Sequence, residues 1–286
     1  MFTKAAIHSF LDKFIQEGLA EDVGDGDHTS LACIPPTNIN KAKLLCKADG
    51  IIAGVEVAKQ IFEASPSKFE MKIYKRDGDE VRRGDIAFTI EGSSREILQR
   101  ERLALNTMQR MSGIATMSKR YTDVVEDLPV KILDTRKTTP LLRFLEKWAV
   151  SIGGATNYRY GLFDRIMIKD NHIDACGSIE KALTSVQEYL KTIDIALPIT
   201  IEIRNFAELD EALLHGAFDR IMLDNFSIPQ LRKAIAIIDH EFETEASGGI
   251  TLRRLRKVAE TGVDFISIGA LTHSFKSLDM SLKVMD

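Results

Sequence analysis

The sequence predicts an α/β protein whose larger part is an incomplete, open α/β barrel with parallel strands. Short, apolar, isoleucine-rich segments alternate with helical segments from residue 130 onward. Strands that are apolar on both faces are typical of a parallel sheet covered by helices. The pentapeptide FDRIM occurs at 163–167 and again at 218–222, which indicates repeated strand–helix units. Only about six strands can be counted, so an open barrel is favoured over a closed eightfold one.

The six predicted strands end in polar, ionisable or glycine residues. They cover residues 130–134, 165–169, 199–203, 220–224, 240–247 and 265–269. In parallel α/β folds, ligands bind beside the carboxyl ends of the strands. We therefore expect the residues that follow these strands to form one binding site.

The N-terminal part of the chain has a different pattern. Residues 4–19 predict an amphipathic helix, and a helical stretch runs from about 93 to 123. Between them, KAKLLCKADG, IIAG, FEMKIYKRDG and DIAFTIEG predict short strands. Asp49-Gly50 and Asp77-Gly78 are strong turn dipeptides. This part is predicted to be a small β unit.

Composition excludes several classes of protein. The chain has 286 residues, 44% of them hydrophobic, and a net charge of −4, which does not favour nucleic acid or an anionic membrane as partner. Its three cysteines include no CxxC pair, as is typical of the reducing cytosol. Asp12 and Lys13 interrupt any signal-peptide pattern at the start, and no apolar run is long enough to span a membrane. We expect a cytoplasmic protein.

Two cations directly follow the first barrel strand, in the segment DTRKTTP. Arg136 and Lys137 are adjacent, Thr139 could cap a helix, and Pro140 suits its first turn. Two cations beside a helix N-terminus would form an anion site. The alternative is a solvated basic loop with a capping threonine.

Cations also flank the second barrel strand. Arg159 precedes the strand and offers a planar donor fork suited to a carboxylate. Lys169 ends the strand, where a lysine is costly unless it meets an anion or an acid. The alternative is an ion pair of Lys169 with Asp170 or Glu202. His172 could act directly or be an ordinary loop or core histidine.

Two carboxylates, Glu202 and Asp224, end neighbouring strands. Such a pair suits Mg²⁺, which prefers hard oxygen ligands, and would also accept hydrogen bonds from ribose hydroxyls. Alternatively, the two acids neutralise Lys169 and Arg204.

Glycine-rich turns follow the last two strands. Ser247-Gly248-Gly249 leads into a helix that is predicted to begin near Thr251, and Gly269 follows the next strand. Backbone N–H groups of two such turns can bind a phosphate. The alternative is two ordinary helix-start turns. No Walker loop or GxGxxG fingerprint is present, so nucleoside triphosphates and dinucleotides are disfavoured.

Read together, these segments resemble the quinolinate phosphoribosyltransferases, also called nicotinate-nucleotide pyrophosphorylases (carboxylating). The resemblance extends from residue 21 to about 273. The motifs that carry it are EDVGDGDHTS, ERLALNTMQRMSGIAT, DTRKTTPLLR, GGATNYRYGLFDRIMIKDNH, MLDN, ASGGI and SIGAL.

The resemblance implies a two-domain subunit. Residues 1–112 would form an N-terminal α/β sandwich to which 273–286 return, and residues 113–272 would form the barrel. It also implies a homodimer, sometimes part of a larger assembly, in which each site is completed by the neighbouring chain. Arg102 in ERLALN matches the arginine that the neighbour donates.

The implied reaction converts quinolinate and phosphoribosyl pyrophosphate, with Mg²⁺, to nicotinate mononucleotide, pyrophosphate and carbon dioxide, a step of NAD biosynthesis. By the resemblance, Lys137 faces the diphosphate, while Glu202 and Asp224 lie near the ribose hydroxyls and Mg²⁺. With Lys169, these three are the expected catalytic residues. The cations that match quinolinate-binding positions are Arg102, Arg136, Arg159 and Lys169. The phosphate-binding turns match Ser247, Gly248, Gly249 and Gly269.

One segment departs from the common family pattern. Ala155 stands where many members have a third glycine, and Tyr158 where many have histidine. Tyr158 can donate a hydrogen bond but carries no charge near pH 7, and we expect it to contact the substrate.

Three other functions compete with this hypothesis. A phosphosugar isomerase or aldolase-like barrel would use Lys169 as a Schiff-base amine. A nicotinate phosphoribosyltransferase would take a monocarboxylate. A catalytically silent binding protein of the same fold would have no need for costly charges at the strand ends.

Overall fold

The structure is a computed structural model that describes residues 3–285. It divides into two compact units. The N-terminal unit runs to Lys119 and also takes in Pro140–Gly154 and the segment from Ser274 onward. The barrel unit consists of Arg120–Thr139 and Ala155–His273. Among the described residues, no helix is long and apolar enough to cross a membrane.

A four-stranded antiparallel sheet forms the centre of the N-terminal unit, in the order β12-β1-β5-β3, and β2 pairs with β4. The strands are β1 (Ile39–Cys46), β2 (Gly50–Ile51), β3 (Glu70–Ile73), β4 (Glu80–Val81), β5 (Ile86–Ser93) and β12 (Met280–Val284). The helices are α1 (Lys4–Val23), α2 (His28–Cys33), α3 (Val55–Glu63), α4 (Ser94–Asp123) and α5 (Arg143–Ile152).

Alternation of side chains explains this sheet. In β1 the side chains of Ala42, Leu44 and Cys46 are buried, while the residues between them are more exposed. The last strand, β12, pairs antiparallel with β1 from Ala42↔Val284 to Cys46↔Met280. The C-terminal segment therefore adds an edge strand to the N-terminal sheet.

The compact barrel unit is interrupted in sequence, whereas the barrel domain expected from the sequence, the continuous stretch 113–272, stays a prediction. Helix α5 belongs to the N-terminal unit, as do residues up to Lys119. The reason is packing: the ring of Phe144 stacks on that of Phe10 in α1, with centroids 4.5 Å apart. In addition, the fully buried carboxylate of Glu146 accepts hydrogen bonds from Arg110 in α4.

The helix predicted to have Thr139 as its cap and Pro140 in its first turn begins three residues later. Helix α5 starts at Arg143, with Leu142 at its N-cap position and no side-chain cap. Leu141 has a φ of 65°, outside the helical region, so the helix cannot extend back through it. The prediction of a Thr139-capped helix beside Lys137 is therefore wrong.

Six parallel strands form the sheet of the barrel unit, in the order β6-β11-β10-β9-β8-β7. They are β6 (Lys131–Leu133), β7 (Ile166–Ile168), β8 (Ile199–Ile203), β9 (Arg220–Asp224), β10 (Glu243–Ser247) and β11 (Phe265–Ser267). The helices are α6 (Asp170–Cys176), α7 (Ile179–Ile193), α8 (Phe206–His215), α9 (Ile228–Ile238), α10 (Leu252–Ala259) and α11 (Ala270–His273). Strands β6 and β7 end the order, so the prediction of an open barrel of six strands is confirmed.

The interior of the barrel is only partly apolar. Leu133, Tyr158, Met167 and Met222 form a buried cluster there. The repeated FDRIM segment has a structural counterpart, because Arg165 directly precedes β7 and Arg220 begins β9. Both guanidinium groups lie over the Tyr158 ring, Arg165 at 5.4 Å and Arg220 at 5.2 Å.

Candidate active site

A cavity of about 560 Å³ lies at the carboxyl ends of the barrel strands. It brings together eight of the site residues expected from the sequence: Lys137, Lys169, Glu202, Asp224, Ser247, Gly248, Gly249 and Gly269. Further lining residues are Tyr121, Thr135, Asn225, Ile250, Thr251, Ser267, Ala270 and His273.

Lys169 and Glu202 form an ion pair at the edge of this cavity, with Nζ 2.9 Å from Oε2. The alternative of such a pair is therefore confirmed for Glu202. The lysine side chain remains 43% exposed, against 10% for the glutamate. Because an ammonium group has three donors, Lys169 can hold Glu202 and still bind a second anion. His172 has a capping role, since its Nδ1 accepts from the backbone N–H of Lys169 at 2.9 Å.

Asp224 is held at the end of β9 by its neighbour. Asn225 donates from Nδ2 to Asp224 Oδ2 at 2.6 Å, and its backbone N–H donates to the Ser247 carbonyl at 2.9 Å. Arg204 is paired elsewhere, with Asp174 and Glu208. The alternative that Arg204 neutralises one of the two cavity carboxylates is therefore wrong, and Asp224 faces the cavity as an acceptor.

The turn after β10 requires glycine. Gly248 has a φ of 98°, and a Cβ atom there would lie 2.2 Å from Asn225 Oδ1. Gly249 has a φ of 56° and open space around it. Thr251 occupies the N-cap position of α10, as predicted. The turn brings backbone groups and a helix start to the cavity wall, an arrangement that suits an anion.

Lys137 and Gly269 lie together after the neighbouring strands β6 and β11. The Lys137 backbone N–H donates to Thr135 Oγ1 at 3.1 Å, and its carbonyl accepts from Thr272 Oγ1 at 2.8 Å. A Cβ atom on Gly269 would lie 3.1 Å from Lys137 Cδ and 3.0 Å from His273 Nε2. The side chain of Lys137 therefore passes close to the turn at Gly269, and its ammonium group is exposed.

Arg136 and Arg159 are near each other but do not line the cavity. Burial lowers the pKa of Arg159, and the positive charge of Arg136 lowers it further. Arg159 Nη1 lies 3.5 Å from the Arg165 carbonyl, a long contact that leaves most of its donors for other partners. Two half-buried guanidinium groups that repel each other indicate a site for an anion.

Tyr158 points into the barrel interior. Its hydroxyl group lies 2.7 Å from Thr200 Oγ1, and it is not part of the cavity lining. Burial, followed by the charge of Glu245, raises the pKa of Tyr158 to about 12. Its backbone N–H donates to the buried Asp134 carboxylate at 2.8 Å, which fixes the chain just before Arg159. Asp134 is thus a positioning residue that the sequence did not single out.

Arg102 lies on α4 in the N-terminal unit, where it is exposed. It lines a groove formed by α1, α4 and α5 and is absent from the lining of the barrel cavity.

Several lining residues were missed because they are uncharged or follow the strand in a helix. Ser267 could have been found from strand periodicity, since it precedes Gly269 by two residues and so lies on the same face of β11. His273 ends the four-residue helix α11, whose path could not be predicted from its sequence.

Comparison with known proteins gives independent information on the family. Residues 27–112 match the family model for the N-terminal domain of quinolinate phosphoribosyl transferase, and residues 114–283 match the model for its C-terminal domain. A quinolinate phosphoribosyltransferase (decarboxylating) from Nicotiana tabacum is 44% identical, over 99% of this chain and 87% of the relative. A chloroplastic nicotinate-nucleotide pyrophosphorylase (carboxylating) from Arabidopsis thaliana is 45% identical, over 96% of this chain and 82% of the relative.

Comparison with solved structures supports the same family. The crystal structure of NadC from Streptococcus pyogenes matches with a TM-score of 0.91 and 37% identity, over 100% of this chain and 99% of that one. The nicotinate-nucleotide pyrophosphorylase from Francisella tularensis matches with a TM-score of 0.89 and 34% identity, over 97% and 96%. On both domains and over nearly its whole length, the chain belongs to the quinolinate phosphoribosyltransferase family.

Proposed function

We propose that this protein is a quinolinate phosphoribosyltransferase, which joins quinolinate to the ribose of phosphoribosyl pyrophosphate and releases pyrophosphate and carbon dioxide. The observation that carries the proposal is the cavity at the strand ends. There, two lysines, two carboxylates and two glycine turns meet within about 560 Å³. Because the chain belongs to the quinolinate phosphoribosyltransferase family, we assign this combination of residues to phosphoribosyl transfer.

The quinolinate dianion is assigned to the cations beside the first two strands. Arg136 and Arg159 repel each other, and a doubly negative ring acid would relieve that repulsion. Lys169 provides a third positive charge at the cavity edge. Each charge-assisted hydrogen bond contributes roughly 1.5–3 kcal/mol, so three or four can hold the dianion in an acidic protein.

The sugar phosphate is assigned to the turns that follow strands β10 and β11. The turns at Ser247–Gly249 and Gly269 present backbone groups to a phosphate, and Lys137 faces the departing diphosphate. Glu202 and Asp224 lie between these turns and Lys169, where they can accept hydrogen bonds from the ribose hydroxyls. Their negative charge would offset the positive charge that develops on the ribose.

No protein nucleophile is required by this arrangement. The pyridine nitrogen of quinolinate attacks the anomeric carbon as the bond to pyrophosphate breaks. The resulting pyridinium stabilises the electron pair left on the ring carbon when the adjacent carboxylate departs as carbon dioxide, and that carbon then takes a proton from water. The protein holds the two substrates in line and neutralises charge.

A Mg²⁺ requirement is part of the proposal. Glu202 and Asp224 are suitable oxygen ligands, directly or through water. In the described part of the chain no three His, Cys, Asp or Glu side chains converge as a metal site, so these two fit an ion held mainly by substrate oxygens. Bound Mg²⁺ would supply positive charge for the departing pyrophosphate.

The test is Mg²⁺-dependent release of pyrophosphate from phosphoribosyl pyrophosphate, with quinolinate, with nicotinate and with neither acid. Release that requires quinolinate supports the proposal. Release with nicotinate alone would instead identify a monocarboxylate enzyme. Covalent trapping of substrate on Lys169 by borohydride would identify a Schiff-base lyase, and release in none of the three mixtures would leave a binding protein.

We also propose that the enzyme is a homodimer whose neighbouring chain contributes Arg102. The exposed position of Arg102 on α4 supports this, because the side chain is accessible to another subunit. A reducing compartment such as the cytoplasm is proposed from the cysteines, none of which forms a disulfide within the described chain.

A further inference from the structure

The proposed phosphate site is divided between two pairs of strands. One half is the turn Ser247–Gly249, which is firmly joined to β9. The β9–β10 ladder continues as far as Ser247↔Asp224. Beyond it, the Asn225 backbone N–H donates to the Ser247 carbonyl at 2.9 Å. This turn and Asp224 therefore hold a fixed spacing.

The other half, at Gly269, is joined to β6. The β6–β11 ladder reaches Ser267↔Leu133, and the Ile268 backbone N–H donates to the Leu133 carbonyl at 2.9 Å. The Thr272 hydroxyl group donates to the Lys137 carbonyl at 2.8 Å. Gly269 and Lys137 therefore hold a fixed spacing as well.

The ladder between the two halves is short. Strands β10 and β11 are registered at Glu245↔Phe265 and Ala246↔Ile266, and the pairing stops before either turn. At that point the hydroxyl group of Ser267 donates to Glu245 Oε1 across the two strands. This side-chain bond continues the connection of β10 and β11 toward the cavity.

The side chain of Glu245 is held in place by a contact other than that with Ser267. Its side chain is fully buried, and its Oε2 accepts from Arg220 Nη1 at 3.2 Å. Arg220 also donates to Glu243 at 2.9 and 2.7 Å and lies 3.7 Å over the Phe265 ring. Burial raises the pKa of Glu245, while Ser267 and Arg220 oppose that rise. A buried carboxylate is tolerated because it is bonded on both oxygens.

We propose that Glu245 is a positioning residue that, through Ser267, sets the distance between the two phosphate-binding turns. It acts from the layer beneath the cavity, because it precedes Ser247 by two residues on the same face of β10. This inference rests on the proposed function for the identity of the substrate, but the geometry applies to any sugar phosphate bound by both turns.

The test compares Ser267→Ala and Glu245→Gln with two controls. Ser267→Thr retains the hydroxyl group. Glu243→Gln removes a charge from the same arginine, at a side chain that is 49% exposed and not bonded to Ser267. Binding of ribose 5-phosphate is measured by calorimetry, together with the KM for each substrate and the thermal stability.

Ser267→Ala removes the hydrogen bond and Glu245→Gln reduces it to a weaker bond between neutral groups, so ribose 5-phosphate binding should weaken about three- to tenfold in each. The KM for phosphoribosyl pyrophosphate should rise in parallel, while that for quinolinate stays within about twofold. Ser267→Thr should recover most of the affinity that Ser267→Ala loses, and Glu243→Gln should bind as the wild type does. The double variant Ser267→Ala/Glu245→Gln should bind no more weakly than the more affected single variant, because both changes act on one link.

The inference is overturned if Glu245→Gln binds ribose 5-phosphate as tightly as the wild type, since Ser267 would then act alone. It is also overturned if Glu243→Gln weakens binding equally, because the effect would come from Arg220. Failure of the wild type to turn over quinolinate would contradict the proposed function but not this inference, since the ribose 5-phosphate comparison does not depend on turnover.

Discussion

At the scale of single residues, the site depends on where charge is placed in a protein of net charge −4. Burial and the positive charge of Arg136 lower the pKa of Arg159, and both side chains are partly buried. An anion beside Arg159 would offset this effect. The free protein is therefore prepared for a ligand with more than one negative charge.

Replacement of Arg159 by alanine should lower kcat/KM for quinolinate about 10- to 100-fold, because one charge-assisted contact is worth roughly 1.5–3 kcal/mol. Arg159→Lys should recover only part of the activity, since an ammonium group lacks the planar fork. The matched control is Arg204→Ala, which removes an arginine that follows strand β8 but is already paired with Asp174 and Glu208. Equal losses in Arg159→Ala and Arg204→Ala would contradict the assignment.

Gly248→Ala should lower both stability and sugar-phosphate affinity. Its φ of 98° is unfavourable for alanine, and the new Cβ would lie 2.2 Å from Asn225 Oδ1. Backbone strain of this kind costs about 1–3 kcal/mol, which urea unfolding can measure. Gly249→Ala, at φ 56° with open space, should cost about 1 kcal/mol. A smaller loss for Gly248→Ala than for Gly249→Ala would argue against the close approach to Asn225.

Tyr158→Phe separates a structural role from substrate contact. Because the hydroxyl group pairs with Thr200 inside the barrel, its removal should cost about 1 kcal/mol of unfolding free energy. The KM for quinolinate should change by less than about twofold, as the hydroxyl group points away from the strand ends. A large rise in KM with unchanged stability would show instead that Tyr158 reaches the substrate.

At the scale of helices and strands, the sequence pattern was enough to predict all six barrel strands, because all of them except β10 are short, largely apolar runs followed by polar or glycine residues. The residues that line the cavity follow from that pattern, as Glu202 and Asp224 illustrate. Helix α5 could not be placed in the same way. Its position depends on the contact of Phe144 with Phe10, and its start depends on the φ of Leu141, neither of which is local sequence information.

The same limit applies to paired side chains. Tyr158 was expected to contact the substrate because it stands where many members of the family have histidine; its partner Thr200, 42 residues away in sequence, could not be predicted. Short elements such as β4 were also missed, since two residues carry no periodic signal. The positions of these side chains and short strands depend on contacts between segments distant in sequence, which a local sequence pattern does not predict.

Strand β1 gives a pH-dependent prediction. Burial, assisted by the charge of Asp85, raises the pKa of Cys46 to about 11 from 9.0. At a pH between these two values, the Cys46 thiol keeps its proton in the folded state, whereas the unfolded chain releases it. Stability from this group is complete below pH 9 and is lost as the pH rises to 11, by roughly 2–3 kcal/mol.

Urea unfolding between pH 8 and 11 measures this loss. Cys46→Ala should be less stable at pH 8 but should show a shallower decline at higher pH. Cys33→Ala, at an exposed position, is the control and should decline as the wild type does. Identical slopes in all three proteins would show that Cys46 does not contribute to alkaline unfolding.

At the scale of the whole molecule, the expected site residues are divided between two compact units. Arg136, Arg159 and Lys169 belong to the barrel unit, whereas Arg102 belongs to the N-terminal unit. Under the proposed homodimer, each site takes its barrel residues from one subunit and Arg102 from the other. That arrangement makes activity a property of the pair of chains, which can be tested by combining defective subunits.

Arg102→Ala and Lys169→Ala should each be nearly inactive. In a mixed dimer, one of the two sites has Lys169 from the first chain and Arg102 from the second, and so is intact. Random pairing makes about half of the dimers mixed, so co-expressed variants should recover about a quarter of wild-type activity. Dimers purified through two different tags should recover about half. If those purified mixed dimers are as inactive as the single variants, Arg102 does not act across subunits, because every site would then depend on one chain alone.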